Sequence, residues 1–157
     1  MAFLFSQHFS KEDQKDLLDM LELHDWAEAI TGDTVIVTTD AEERKRLKAE
    51  KKEKERTVML EICNNVGRDT GPRMFVLWTR FETSDDQVAF WGRQLDKYQA
   101  IERALEYEKT QNIPLFREFK DYSEEINEIV DPILVEKLAL LEEDWQKLQQ
   151  GKTNDKE

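Results

Sequence analysis

The chain is poor in the residue types that most often carry recognisable chemistry. It has one cysteine, two histidines, three prolines and five glycines in 157 positions. The single thiol, Cys63, excludes an intramolecular disulfide and any multi-cysteine metal site, and it suits a reducing compartment. The glycines stand apart at 32, 67, 71, 92 and 151, so no Gly-rich loop is available to cradle a phosphate. Zinc spacings such as CxxC and HExxH are missing too. No run approaches the roughly 18 apolar residues of a membrane span. The apolar start MAFLFSQHFS lacks the basic flank and small-residue cleavage site of a signal peptide. These gaps predict a cytoplasmic protein with no membrane contact, no cofactor and no metal centre.

What the chain does have is charge, sorted by sign. Residues 1 to 43 carry eleven acids against Lys11 and Lys15, and residues 82 to 149 carry seventeen acids against eight bases. Between them, residues 44 to 56 (RKRLKAEKKEKER) hold eight Lys/Arg against Glu50, Glu53 and Glu55, within a total of −12. Opposite blocks attract over about 8–10 Å at ordinary salt, and like blocks repel. Both acidic flanks would push a phosphate backbone away, so only the basic middle could bind one.

Four Trp, eight Phe and three Tyr supply large buried areas, and the length suits one core. The expectation is a single domain over 1–149, a projecting charged helical segment at 40–57 and a flexible tail at 150–157. Capping patterns at Ser10/Asp13, Asp40/Glu43 and Ser84/Gln87 open three helical stretches. The first runs to about Ile30 and the third to about Thr110; the second is favoured as one helix to about Val66, while Val58, Leu60 and Ile62 also alternate as a strand would, which leaves 57–63 open between helix and strand. Thr34 to Thr39 is dense in β-branched residues, and Arg73 to Phe81 is apolar on both parities. Both read as strands. After the break at Asn112-Ile113-Pro114, Leu134, Leu138, Leu141, Trp145 and Leu148 follow a helix-packing seam, with Pro132 either kinking that helix or starting it. The predicted fold class is therefore α+β and predominantly helical, with a small two- or three-stranded sheet and a C-terminal antiparallel helix pair.

Candidate catalytic groups are few. His24 and Glu28 lie one helical turn apart, a spacing that suits a divalent ion or a poised base, but a locally paired histidine at the edge of an apolar face explains it more simply. Cys63 has no histidine near it in sequence and reads as buried filler. Carboxylates at Glu118, Asp121, Glu124, Glu125, Glu128 and Asp131 resemble a magnesium-binding face, yet the ExxE and ExxD copies share Glu128, which leaves half of such a site missing. Arg73, Phe75, Trp78, Arg80 and Phe81 interleave cations with aromatics, as single-strand nucleic-acid platforms do, and core packing accounts for them better.

The basic run is the strongest remaining feature. It predicts a non-enzymatic interaction or assembly protein docking through helical faces and this segment, with Arg44, Lys45, Lys48, Lys51, Lys52, Arg56, Leu141, Trp145 and Leu148 at the interface. The expected partner is a protein, a second copy of the chain included. Two alternatives are an acidic nucleic-acid mimic that inhibits a nucleic-acid-processing enzyme, and a nucleic-acid-associated protein using residues 44–56.

Overall fold

The computed structural model describes residues 9–32, 36, 38–117 and 129–154, and every element among them is helical. In chain order these are α1 (Lys11–Leu23), α2 (Glu28–Thr31), α3 (Ala41–Val66), α4 (Gly71–Thr83), α5 (Gln87–Gln111) and α6 (Pro132–Asn154). The chain divides after Phe90 into two compact units.

Helix starts follow the local chemistry. Ser10 Oγ accepts the Asp13 N–H at 3.1 Å, and Asp40 Oδ1 accepts the N–H groups of Glu42 and Glu43, both at 2.9 Å. The third cap is Asp86 rather than Ser84: its Oδ1 takes the N–H groups of Val88 and Ala89, while the Ser84 hydroxyl donates to its Oδ2. Asp131 caps α6 in the same way, with Pro132 in the first helical position, where a missing N–H is harmless.

The expected sheet is absent among the described residues, and the α+β class is corrected to all-helical. Residues 73–81 belong to α4. Met74, Leu77, Trp78 and Phe81 fall at i, i+3, i+4 and i+7, and the last three are buried. The apparent second apolar parity came from Phe75, which is half-buried, and Val76, which faces solvent. The other predicted strand, 34–39, lies partly outside the described residues, and Ile36 and Thr38 carry no strand pairing.

In the first unit α4 packs on both α1 and α3. Leu17, Met20, Leu23, Met59, Cys63, Leu77, Trp78 and Phe81 form the core. The turn between α3 and α4 is tight: Gly67 takes φ 120°, open to glycine at little cost, and a Cβ on Gly71 would overlap the carbonyl oxygen of Cys63. Beside this core, Asp16 of α1 accepts from Arg73 and Arg80 of α4, each at 2.8 Å, and Asp19 accepts from Arg73 at 3.1 Å. Arg80 also grips Asp86 with two nitrogens, Nε at 2.8 Å and Nη2 at 3.0 Å.

The second unit is built from α5 and α6, and the expected antiparallel pairing is corrected as well. Gln94 Oε1 accepts the N–H of Val130 at 2.8 Å, and fourteen residues on, Glu108 Oε1 accepts Trp145 Nε1 at 3.1 Å and Gln149 Nε2 at 2.7 Å. Contacts that advance together along both helices mean a parallel pair.

Candidate active site

α1 ends at Leu23, and the turn that follows presents the chain's one His-Asp dipeptide, His24-Asp25. The His24 N–H still bonds to Met20 O at 3.0 Å, so the residue closes the helix and its ring leaves from a fixed point. Two α4 side chains hold it there. Trp78 Nε1 donates to the His24 carbonyl at 3.3 Å, and the Phe81 ring lies 5.1 Å from the imidazole at 41°.

The imidazole is polarised by its partners. Nδ1 lies 2.7 Å from the Leu21 carbonyl oxygen, which only accepts, so Nδ1 carries a hydrogen. In the neutral ring Nε2 is then a bare lone pair, and it faces Asp25 Oδ1 at 3.2 Å. Two lone pairs at that distance repel unless a proton or a metal cation sits between them. The His24 side chain is 16% exposed and that of Asp25 71%, so a nearly buried base abuts an open carboxylate. His24 and Asp25 fit two positions of a divalent-cation site. Among the described residues, no group of three or more His, Cys, Asp or Glu completes one.

One turn further, Glu28 opens α2. Its carboxylate meets not His24 but Lys51 of α3, Nζ to Oε1 at 2.8 Å. Lys51 also approaches Glu55 Oε1 at 3.6 Å, and Glu55 is nine-tenths buried with no hydrogen-bond donor to that oxygen. Burial pushes the Glu55 carboxyl upward, Lys51 pulls it down, and Glu28 and Glu82 add to the rise. Glu82 of α4 has its own cation, Lys52, at 3.7 Å.

The residues expected at an interface are scattered by the fold into different roles. Lys51 and Lys52 neutralise Glu28, Glu55 and Glu82 as above. Arg44 donates to the Thr38 carbonyl at 2.8 Å, and Arg56 lies over the Phe75 ring at 5.6 Å. Lys45 and Lys48, with Arg44, line a shallow cleft at the start of α3. Leu141, Trp145 and Leu148 sit half-buried on α6, where the Trp145 ring meets Phe116 at 5.8 Å. Trp26 is 36% exposed, and Cys63 is buried, its thiol pushed upward by burial. The carboxylate stack from Glu118 to Glu128 and His8 lie outside the described residues.

The family model described as HD domain matches residues 1–136, and the chain belongs to that family. The curated relatives include four proteins named 5'-deoxynucleotidase HDDC2. That of Dictyostelium discoideum is 30% identical over 97 residues, which is 62% of this chain and 48% of the relative. The mouse protein is 32% identical over 92 residues, 59% of this chain and 43% of the relative. The human one is 30% identical over 92 residues, with shares of 59% and 42%. The chain thus spans about half the length of the curated relatives it matches.

These findings overturn the expectation of a non-enzymatic docking or assembly protein, and with it the nucleic-acid-mimic and nucleic-acid-arm alternatives. Family membership and named relatives point to an enzyme. Sequence reasoning weighed His24 against Glu28 and passed over Asp25, the residue next to it. The available signal was the compact HDxxE string, two ligand-type side chains and an acid within five positions. No described helix is long and apolar enough to cross a membrane.

Proposed function

We propose that this chain is a hydrolase that removes the 5′-phosphate of 2′-deoxynucleoside monophosphates, with His24, Asp25 and Glu28 at its reacting centre. The supporting observation is the His24–Asp25 contact: a buried lone pair and an exposed carboxylate that together require a positive charge between them. The relatives' name supplies the substrate class. In the reaction a water oxygen bonds to phosphorus, the bond from phosphorus to the 5′ oxygen breaks, and that oxygen leaves with a proton as the deoxynucleoside. Glu28, paired with Lys51 at 2.8 Å, takes the proton from the attacking water and passes it to the departing 5′ oxygen. The charge held by His24 and Asp25 faces the phosphoryl oxygens; a divalent cation there would stabilise the negative charge that builds on them. The reading places the protein in the cytoplasm, where a reduced thiol such as Cys63 persists.

The test is release of inorganic phosphate from the four deoxynucleoside 5′-monophosphates and their ribose counterparts, with and without Mg²⁺, Mn²⁺ or Co²⁺. Release should favour the deoxy series and fall by about a hundredfold or more in His24→Ala and Asp25→Asn, with helix content by circular dichroism unchanged. Absence of phosphate release from every substrate under every ion rejects the proposal.

A further inference from the structure

One buried acid near the site has no role in the reaction as proposed. Glu55 stands on α3, in the middle of the segment whose charges look solvated in sequence, yet its side chain is only 10% exposed. Nothing donates a hydrogen bond to its Oε1. The nearest cation, Lys51, lies one helical turn back and reaches past it to Glu28, at 2.8 Å against 3.6 Å. The same ammonium therefore reaches both carboxyl groups, and of the two it lies closer to the one next to the His24–Asp25 turn.

We infer that Glu55 is a positioning residue that acts through Lys51 on Glu28, so that the state of a buried carboxyl on α3 sets how firmly the site's own carboxylate is held. The claim deepens the proposed function and rests on it for its kinetic consequence alone. While Glu55 is neutral, the closer pairing of Lys51 with Glu28 is undisturbed. Once Glu55 ionises, the ammonium is shared and Glu28 loses part of its counter-charge. The groups facing Glu55 agree with this order. Lys51 faces it from its own helix, Glu28 from α2 and Glu82 from α4, and the two acids favour its neutral form along with burial. Lys52 draws Glu82 outward at 3.7 Å and leaves Lys51 as the one cation among these groups that pairs with both Glu28 and Glu55.

The experiment follows the Glu28 side-chain carboxyl carbon by NMR across a pH titration of the full chain, in the wild type, Glu55→Gln and Lys51→Met. Glutamine copies the neutral carboxyl in size, so the fold should survive. The wild-type Glu28 signal should carry a step that reports the ionisation of Glu55. Glu55→Gln should lose that step, and Lys51→Met should weaken it. A wild-type Glu28 signal that is unchanged in Glu55→Gln overturns the inference.

A second arm reads phosphate release. Glu55→Gln should stay within about twofold of wild type at the acid end and lack its alkaline decline, while Lys51→Met should lower kcat about tenfold with KM little changed. A wild type that releases no phosphate would reject the proposed reaction, and the carboxyl titration would still decide the positioning claim.

Discussion

Single side chains in the first unit carry opposite pH signatures. Asp86 is held well below the usual carboxylate range, first by the Arg80 guanidinium and then by the Ser84 hydroxyl and the Ala89 N–H. A depressed carboxyl stabilises the fold above its unfolded value of about 4 and loses that contribution as the pH falls through the folded value. Asp86→Asn should therefore lower the thermal midpoint at neutral pH and flatten its acid limb, which melting curves from pH 2 to 7 would show. Glu55 has the reverse sign. Its raised carboxyl stabilises most below the unfolded value, and the contribution is lost as the pH rises through the folded one. Glu55→Gln should accordingly gain thermal stability over wild type at pH 8 and lose that advantage near pH 4. Tyr98, pushed up to about 12 by burial and then by the Glu102 carboxylate, should ionise late in an ultraviolet titration.

Elements meet closely at two places, and each has a residue whose change isolates the contact. The α3–α4 turn depends on Gly71, because the Cys63 carbonyl occupies the space a Cβ would need, and the obstacle is backbone rather than a flexible side chain. Gly71→Ala should cost about 1–3 kcal/mol in urea unfolding by forcing the two helices apart. In the second unit the parallel α5–α6 pair is pinned by Glu108, 3% exposed, which accepts from both Trp145 and Gln149. Glu108→Ala leaves the indole and amide donors without that acceptor, so a loss of about 1–3 kcal/mol is expected, with Trp fluorescence reporting the freed ring.

At the scale of the whole molecule, the segregated charge serves mainly the fold. Lys51 and Lys52 cancel against Glu28, Glu55 and Glu82, and Arg46 against Glu43 and Glu50. The acidic first block is likewise used internally, where Asp16 and Asp19 hold the arginines of α4. Such exposed and half-exposed pairs weaken with salt. The thermal midpoint should drop modestly between 0.05 and 1 M NaCl, about the two settings where screening changes most.

Much of this was legible in the residue order. The caps at Ser10 and Asp40, the uninterrupted helix from Ala41 to Val66 and the stop at Asn112-Ile113-Pro114 depend on bonds and torsions within a few positions, and local chemistry decides those. The class of α4 was readable as well, in Met74, Leu77, Trp78 and Phe81, had that spacing been weighed above the density of β-branched and aromatic side chains. Other features had no local trace. That Lys51 turns toward Glu28, that α6 runs beside α5 in the same direction, and that Trp78 and Phe81 hold His24 in place all require segments far apart in the chain to meet. Those meetings are set by which apolar faces bury one another, and only the packed molecule decides that.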